Sequence, residues 1–296
     1  LTVKLWGLDH QYVDCEEVEN TETIDYLIDK LDQPFKAAQT LYQYAIRKQA
    51  SLDGVKYFLS GSGADEVFGG YTNCIVPHLC RFFRNGEVKN LIKKAKELEE
   101  FSEKSFIELL RNTSKQVLKP NYKQKSPTGR QELGEIFSNI KYRYINKPLD
   151  LRTHLLNRLL ISSMPFACRV EDGITRCFAI ESRFPFLNHF LIDYAFSHDE
   201  SYCFQNGKNK ALLRDALEKL LPEHVRNLKT KAQRPGNTKR LIFSLISEEA
   251  ADIFADDNYL LKKGAPDRFL QDKKKGLNFQ FWMRAYLTCR WKILKT

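Results

Sequence analysis

The sequence predicts an α/β protein: part of an open parallel sheet near the N-terminus, followed by a large helical region. Two observations predict it. The first is the stretch "YFLSGSGADEVFGGY" at 57–71. An apolar, aromatic run that breaks into Ser-Gly-Ser-Gly reads as a strand entering a tight turn. Helical patterns flank it, and helix, strand, glycine turn, helix is the order of a parallel sheet that binds ligands at the carboxyl ends of its strands. The second is that the strand signal nearly vanishes beyond Tyr71.

The elements follow in order. Residues 1–15 read as a helix end, "LTVKLWGLDHQ", and a short strand, "QYVDC". "TETIDYLIDKLDQPF" reads as a helix with an N-cap threonine and apolar 3–4 spacing, stopping at Pro34. "AAQTLYQYAIRKQASLDG" continues helically to Gly54, and the strand "VKYFLS" enters the glycine turn. From about 78 to 225 the chain reads as helices, broken near 119–129 and near 146, and the tail after 240 reads as helical too. No repeat, low-complexity tract or clean linker is visible. The expectation is one domain over 1–296, its α/β part at about 1–75 and its helical part at about 76–296.

The chain has 296 residues, 43% hydrophobic and 12% aromatic, enough to bury a sizeable core. No apolar run is long enough for a membrane span and no signal peptide is visible, so no membrane partner is expected. The seven cysteines (15, 74, 80, 168, 177, 203 and 289) never fall in C-x-x-C spacing. They read as reduced thiols of a cytoplasmic protein. The net charge of +10 favours anionic partners without selecting one. Much of the excess lies on solvated helices where Lys and Glu interleave, as in "EVKNLIKKAKELEEFSEKSF", so no nucleic-acid partner is expected.

Within the glycine turn, Ser60, Gly61, Ser62 and Gly63 would present backbone N–H groups to a phosphate. Asp65 would lie within reach of a divalent cation on that phosphate. The competing reading is a tight turn in which Asp65 and Glu66 only cap the next helix. The residues alone leave both open.

Two further blocks add context. They are "RVEDGITRCFAIESRFPFLNHFLIDYAF" at 169–196 and "GKNKALLRDALEKLLPEHVRNLKTKAQRPG" at 207–236. Together with "LDQPF" and the glycine turn, they resemble the synthetase domain of asparagine synthetases, whose wider family includes β-lactam synthetases and lasso-peptide cyclases. The resemblance covers roughly residues 5–240. It implies an adenine-nucleotide α-hydrolase-like fold of the PP-loop type and an ATP-dependent ligase that forms amides through an acyl-adenylate. Aspartate with ammonia or glutamine is the implied substrate pair. A macrolactam or peptide-modifying ligase, or a non-catalytic scaffold, is the alternative. The implied cofactors are ATP and Mg2+, and the implied partners are a small-molecule carboxylate and an amine donor.

Position by position, the resemblance implies ATP contacts at Ser60 and Gly61, and a Gly63 that keeps the loop close. Asp65 becomes a Mg2+ ligand. Lys231 in "KTKAQRPG" matches the catalytic lysine, with Lys229 as a substitute. Ser62 occupies a catalytic position. Glu181 and Arg183 are expected to support the core as a pair, and Asp172 to be structural or to line the substrate pocket. Lys208 or Lys210, with Arg214, matches K-x-x-L-R in a structural role, and His10 reads as an ordinary surface or core residue.

Four departures qualify this. Ser62 stands where asparagine synthetases have Glu, which puts aspartate specificity in doubt. Gly173, Arg176 and Cys177 replace an Arg and a Ser-Met pair. Asn188 replaces the Asp of P-F-L-D. The S-G-G-x-D-S loop and the glutamine-hydrolysing domain do not occur in these 296 residues. The expectation is that Leu1 is an internal residue of a longer protein, and that these residues alone do not turn over. The alternative is a pseudoenzyme, or a subunit completed by another chain.

Overall fold

The computed structural model describes residues 2–35, 39–118, 150–228, 265–275 and 279–295, with short pieces between 244 and 254. It is mostly helical around a small parallel sheet. The first helix, α1, spans Thr2–Trp6. The strand expected at 11–15 does not form. That stretch has no regular structure and leads into a 3-10 turn at Glu16–Val18. Its Tyr12 is fully exposed and no strand lies beside it among the described residues, so its extended propensity has nothing to pair with.

Helix α2 (Thr21–Leu31) is capped one residue earlier than expected. The Asn20 side chain accepts the Thr23 N–H at 2.8 Å. It buries Ile24, Leu27, Ile28 and Leu31, the stripe that 3–4 spacing requires. Helix α3 (Gln39–Leu52) buries Leu41, Ala45 and, unusually, Arg47. Strand β1 (Tyr57–Leu59) pairs in parallel with β2 (Glu181–Arg183), in the register Tyr57↔Glu181, Phe58↔Ser182 and Leu59↔Arg183. The partner strand therefore lies inside the stretch read as helical. "ESR" is short and polar, and it carries no strand signature of its own.

The helices between these strands are α4 (Ala64–Phe68), α5 (Ile75–Arg84), α6 (Val88–Glu97), α7 (Glu99–Ser102), α8 (Phe106–Leu118), α9 (Leu151–Asn157) and α10 (Met164–Arg176). A π-helical turn, Arg158–Ser162, joins α9 to α10. Helix α11 (His189–Ser197) follows β2. An antiparallel hairpin of β3 (Phe204–Gln205) and β4 (Lys208–Asn209) comes next, then α12 (Ala211–Ala216) and α13 (Glu223–Arg226). The hairpin turns on Asn206 and Gly207, both at positive φ, the Asn-Gly pair that two-residue turns favour. Beyond 240, the described helices are Ala265–Lys274 and Phe279–Lys295.

There are two hydrophobic clusters. One joins α2, α3, α10 and the C-terminal helix through Leu27, Ile28, Leu41, Ile174, Trp282 and Tyr286. Arg290 fastens that helix to α2 with Nε 2.6 Å from Asp25 Oδ1. The other cluster joins α4, α5, α8 and α9 through Val67, Ile75, Leu79, Leu109 and Leu155. Each fully buried Leu or Ile contributes about 1.5–3 kcal/mol. The glycine turn lies at the seam, because β1 leads into it beside α3 and α10 while α4 is rooted in the second cluster. Among the described residues, no helix is long and apolar enough to cross a membrane.

Candidate active site

The site begins where β1 runs out. The Ser60 N–H donates to the Arg183 carbonyl at 2.8 Å, extending the sheet by one residue. The chain then turns through Gly61, Ser62 and Gly63 into α4. Gly63 has φ +99°, and a Cβ there would lie 2.5 Å from Leu187 Cδ2, so only glycine fits. Gly61 differs. A Cβ on it would meet nothing within 4 Å, so this point of the loop faces open space.

The two serines turn their hydroxyls onto one carboxylate. Ser60 and Ser62 donate to Glu171 Oε2 at 3.1 and 3.2 Å, and their oxygens lie 3.0 Å apart. Arg47 donates Nη2 to Glu171 Oε1 at 2.6 Å and stacks over the Phe58 ring, 4.1 Å from its centroid. Arg47 and Glu171 are both nearly fully buried, at 5% and 2% side-chain exposure. Burial pulls the Arg47 pKa below its usual value and Glu171 pulls it back. An arginine stays charged in a protein, so this is a buried ion pair that holds the loop from behind.

On the other side of the turn, Asp65 lies 2.6 Å from Lys210 Nζ, both partly open to solvent. Lys210 reaches it across Gly70, where a Cβ would fall 1.9 Å from Asp65 Oδ1 and 2.4 Å from Lys210 Cε. Lys210 has φ +51°, a left-handed backbone that costs a non-glycine residue about 1–3 kcal/mol. Asn209 fixes this corner by donating to the Gly70 carbonyl at 3.0 Å. Glu66, the next residue, turns inward. It accepts from Tyr71 Oη at 3.1 Å and meets Arg158 at 3.4 Å, while the Arg158 guanidinium covers the Tyr71 ring. Burial, then the Glu66 charge, raises the Tyr71 pKa. His154, on α9, is pushed down to about 4 by burial and by Arg158.

The expected residues are thus sorted. The structure brings Ser60, Ser62 and Asp65 to one turn. Lys231 and Lys229 lie outside the described residues. Asp172 points away from the turn and pairs with Arg176 on the surface. The two belong to an open cavity of about 550 Å3 between α2 and α10, lined also by Tyr26, Lys30 and Arg169. Gly173 is explained there, since a Cβ would strike Leu31 Cδ2 at 2.4 Å. Asn188 caps α11 by accepting the Phe190 N–H at 3.0 Å, a role aspartate fills equally well. Glu181 and Arg183 do not support the core as expected. Their side chains are more than half exposed and pair with each other at 2.8 Å, and these residues act through the backbone of β2. His10 is exposed, edge-on to Tyr12.

Three side chains at the turn escaped the sequence reading: Arg47, Glu171 and the placement of Lys210 against Asp65. The doublet Glu171-Asp172 was visible, and the turn selects its first member. The cysteines do not compete as nucleophiles beside the turn, since burial pushes the Cys74 and Cys80 thiols up to about 12. Among the described residues, no group of three or more His, Cys, Asp or Glu side chains could hold a metal ion. The turn offers one partly exposed carboxylate, Asp65, beside Lys210. That suits Mg2+, which is held by one or two carboxylates together with substrate phosphates.

A parallel strand ending in a glycine turn that carries two hydroxyls and a partly exposed aspartate marks this chain as an α/β protein, a class whose open sheets bind ligands at the carboxyl ends of their strands. The chain belongs to the asparagine synthase family, which it matches over residues 2–293. It is similar to asparagine synthetase [glutamine-hydrolyzing] 1 of Bacillus subtilis (strain 168), with 26% identity over 263 residues. That match covers 78% of this chain and 40% of the relative, so the chain spans less than half of the curated relative's length. No solved structure matches it significantly.

Proposed function

We propose that this chain is the synthetase module of an ATP-dependent carbon–nitrogen ligase, one domain over 1–296 with a PP-loop type fold, acting in the cytoplasm. The observation that carries the reading is the turn itself: Ser60, Ser62 and Asp65 stand on one glycine turn at the end of β1, where Gly61 faces open space. Family membership supports it.

In this reading Ser60 and Gly61 line the nucleotide, Gly63 lets the loop lie close, and Asp65 holds Mg2+. When bound there, the cation would offset charge on the phosphates; the substrate carboxylate attacks the α-phosphorus of ATP and pyrophosphate leaves. The amine then attacks the acyl carbon of the adenylate and AMP leaves, and Lys231 offsets negative charge in that step. Glu171 keeps both serine hydroxyls oriented, and Arg47 holds Glu171 in place behind them.

Aspartate with ammonia or glutamine is the first substrate pair to test. One observation favours a second reading within the same class, a macrolactam or peptide-modifying ligase. Ser62 carries no charge, and the carboxylate behind it is already neutralised by Arg47. An amino-acid ammonium therefore meets no unpaired negative charge at this position.

The test is pyrophosphate–ATP exchange by the full-length protein, with aspartate or a peptide acid as the carboxylate. Exchange that depends on the carboxylate and falls about 100-fold or more in Asp65→Asn supports the ligase. Exchange with the peptide acid alone selects the second reading. No exchange, with weak ATP binding that Asp65→Asn leaves unchanged, turns the assignment to a non-catalytic scaffold.

A further inference from the structure

Lys210 is more than the structural lysine its motif suggests. We infer that its ammonium is a built-in stand-in for the divalent cation at Asp65, and must let go of that carboxylate before a metal binds. The inference rests on the proposed function for the identity of the ligand, and on the structure for the placement of the lysine.

Three independent features place Lys210 Nζ there. The ion pair with Asp65 is short, at 2.6 Å, and only partly open to solvent. The path to it exists only because residue 70 is glycine, since a Cβ would overlap both partners. The Lys210 backbone is held left-handed at φ +51°, a conformation lysine rarely adopts, at the first corner of α12. Asn209 keeps the strained corner in place. Its side chain donates to the Gly70 carbonyl and accepts from Arg214 Nη2 at 2.8 Å, while Arg214 Nε donates to the Asn209 carbonyl at 2.7 Å. Strain kept by so many partners marks a functional position. An ordinary surface ion pair would need none of them.

The consequence is an ordered site. A metal ion alone must compete with Lys210 for Asp65, so it binds weakly. A metal–nucleotide complex brings phosphates that can take up the ammonium as it leaves the carboxylate. Lys210 thus becomes a phosphate contact when Asp65 becomes a metal ligand, and it couples the two binding events. Lysine suits this task, being a compact point charge on a flexible stem rather than a fixed fork.

The experiment is a titration of the full-length protein with Mn2+, followed by electron paramagnetic resonance, with and without ATP. Without ATP, Lys210→Met is expected to bind Mn2+ about tenfold more tightly than wild type, or ~1.4 kcal/mol. With ATP the order reverses, because wild type gains a phosphate contact that the variant lacks. Lys210→Gln, which also removes the ammonium and leaves Asp65 in place, is expected to match Lys210→Met without ATP, and circular dichroism checks that both fold. Equal Mn2+ affinity in wild type and Lys210→Met, or no binding by either, overturns the inference. Failure of the proposed function reads differently. In that case Lys210→Met still binds free Mn2+ more tightly, while ATP changes nothing in either protein.

Discussion

Two acidic doublets meet near the turn, and they are built in opposite senses. In Asp65-Glu66 the first carboxylate is partly exposed beside Lys210 and the second is buried with Arg158 and Tyr71. In Glu171-Asp172 the first is buried behind the serines with Arg47 and the second lies on the surface with Arg176. Successive residues of a helix point about 100° apart, so a doublet on a helix almost always divides its labour. Each inward member is met by a cation from a distant segment, Arg158 for Glu66 and Arg47 for Glu171.

Removing the cations is the most severe way to break this comparison. Arg47→Met leaves the Glu171 carboxylate buried without its partner, which costs about 3–5 kcal/mol. The expected outcome is a large drop in the midpoint of thermal or urea unfolding. Arg176→Met removes the partner of exposed Asp172 and should cost less than about 1 kcal/mol. Equal losses would mean that the two pairs are not inner and outer at all.

Protonation separates the doublets next. His154 stands on the Arg158 side, with Nε2 3.4 Å from Asn73 Oδ1. Its folded pKa of about 4 lies below the ordinary 6.5. Between these values the unfolded chain binds more protons than the folded one. Stability is therefore full above about pH 6.5 and falls as the pH drops toward 4, by an amount on the order of 2–3 kcal/mol. His154→Gln should flatten that part of the pH–stability curve. The same slope in wild type and variant would remove His154 as its source.

Within the first doublet, Glu66→Gln should cost about 1–3 kcal/mol of stability, because it leaves Arg158 without its charge partner. Asp65→Asn should cost less than about 1 kcal/mol and instead weaken Mn2+·ATP binding. A stability loss in Asp65→Asn as large as that in Glu66→Gln would make Asp65 a structural residue, as the capping reading supposed.

The legible part of this architecture was local. The apolar run before the glycines marked β1, the 3–4 spacing of Ile24, Leu27, Ile28 and Leu31 marked α2, and the order of the motif placed Ser60, Ser62 and Asp65 on one turn. What stayed hidden was pairing across distance. β2 consists of three residues, Glu-Ser-Arg, whose extended form is imposed by β1. Arg47 reads as one more charge on a helix until α10 brings Glu171 against it, 124 residues away. Asp172 attracted attention because its motif names it, but the helix turns it outward. The Asn206-Gly207 hairpin was readable from the dipeptide alone, yet its strands, two residues each, are too short to show alternation.

The smallest expected effect tests how the serines share Glu171. Ser60→Ala and Ser62→Ala each remove one hydroxyl that donates to Oε2, a loss of about 1 kcal/mol apiece. The two hydroxyls also lie within hydrogen-bond distance of each other, so either survivor can turn fully toward the carboxylate. The double variant has no survivor, and Oε2 is left buried without a donor from the loop. Its cost should therefore exceed the sum of the single costs by about 0.5–1 kcal/mol, measured as a double-mutant cycle in urea unfolding. Additive losses would mean that each serine contacts Glu171 alone. The loop would then be held at two separate points, and its two hydroxyls would not form the single hydrogen-bonded cluster on which the proposed nucleotide site depends.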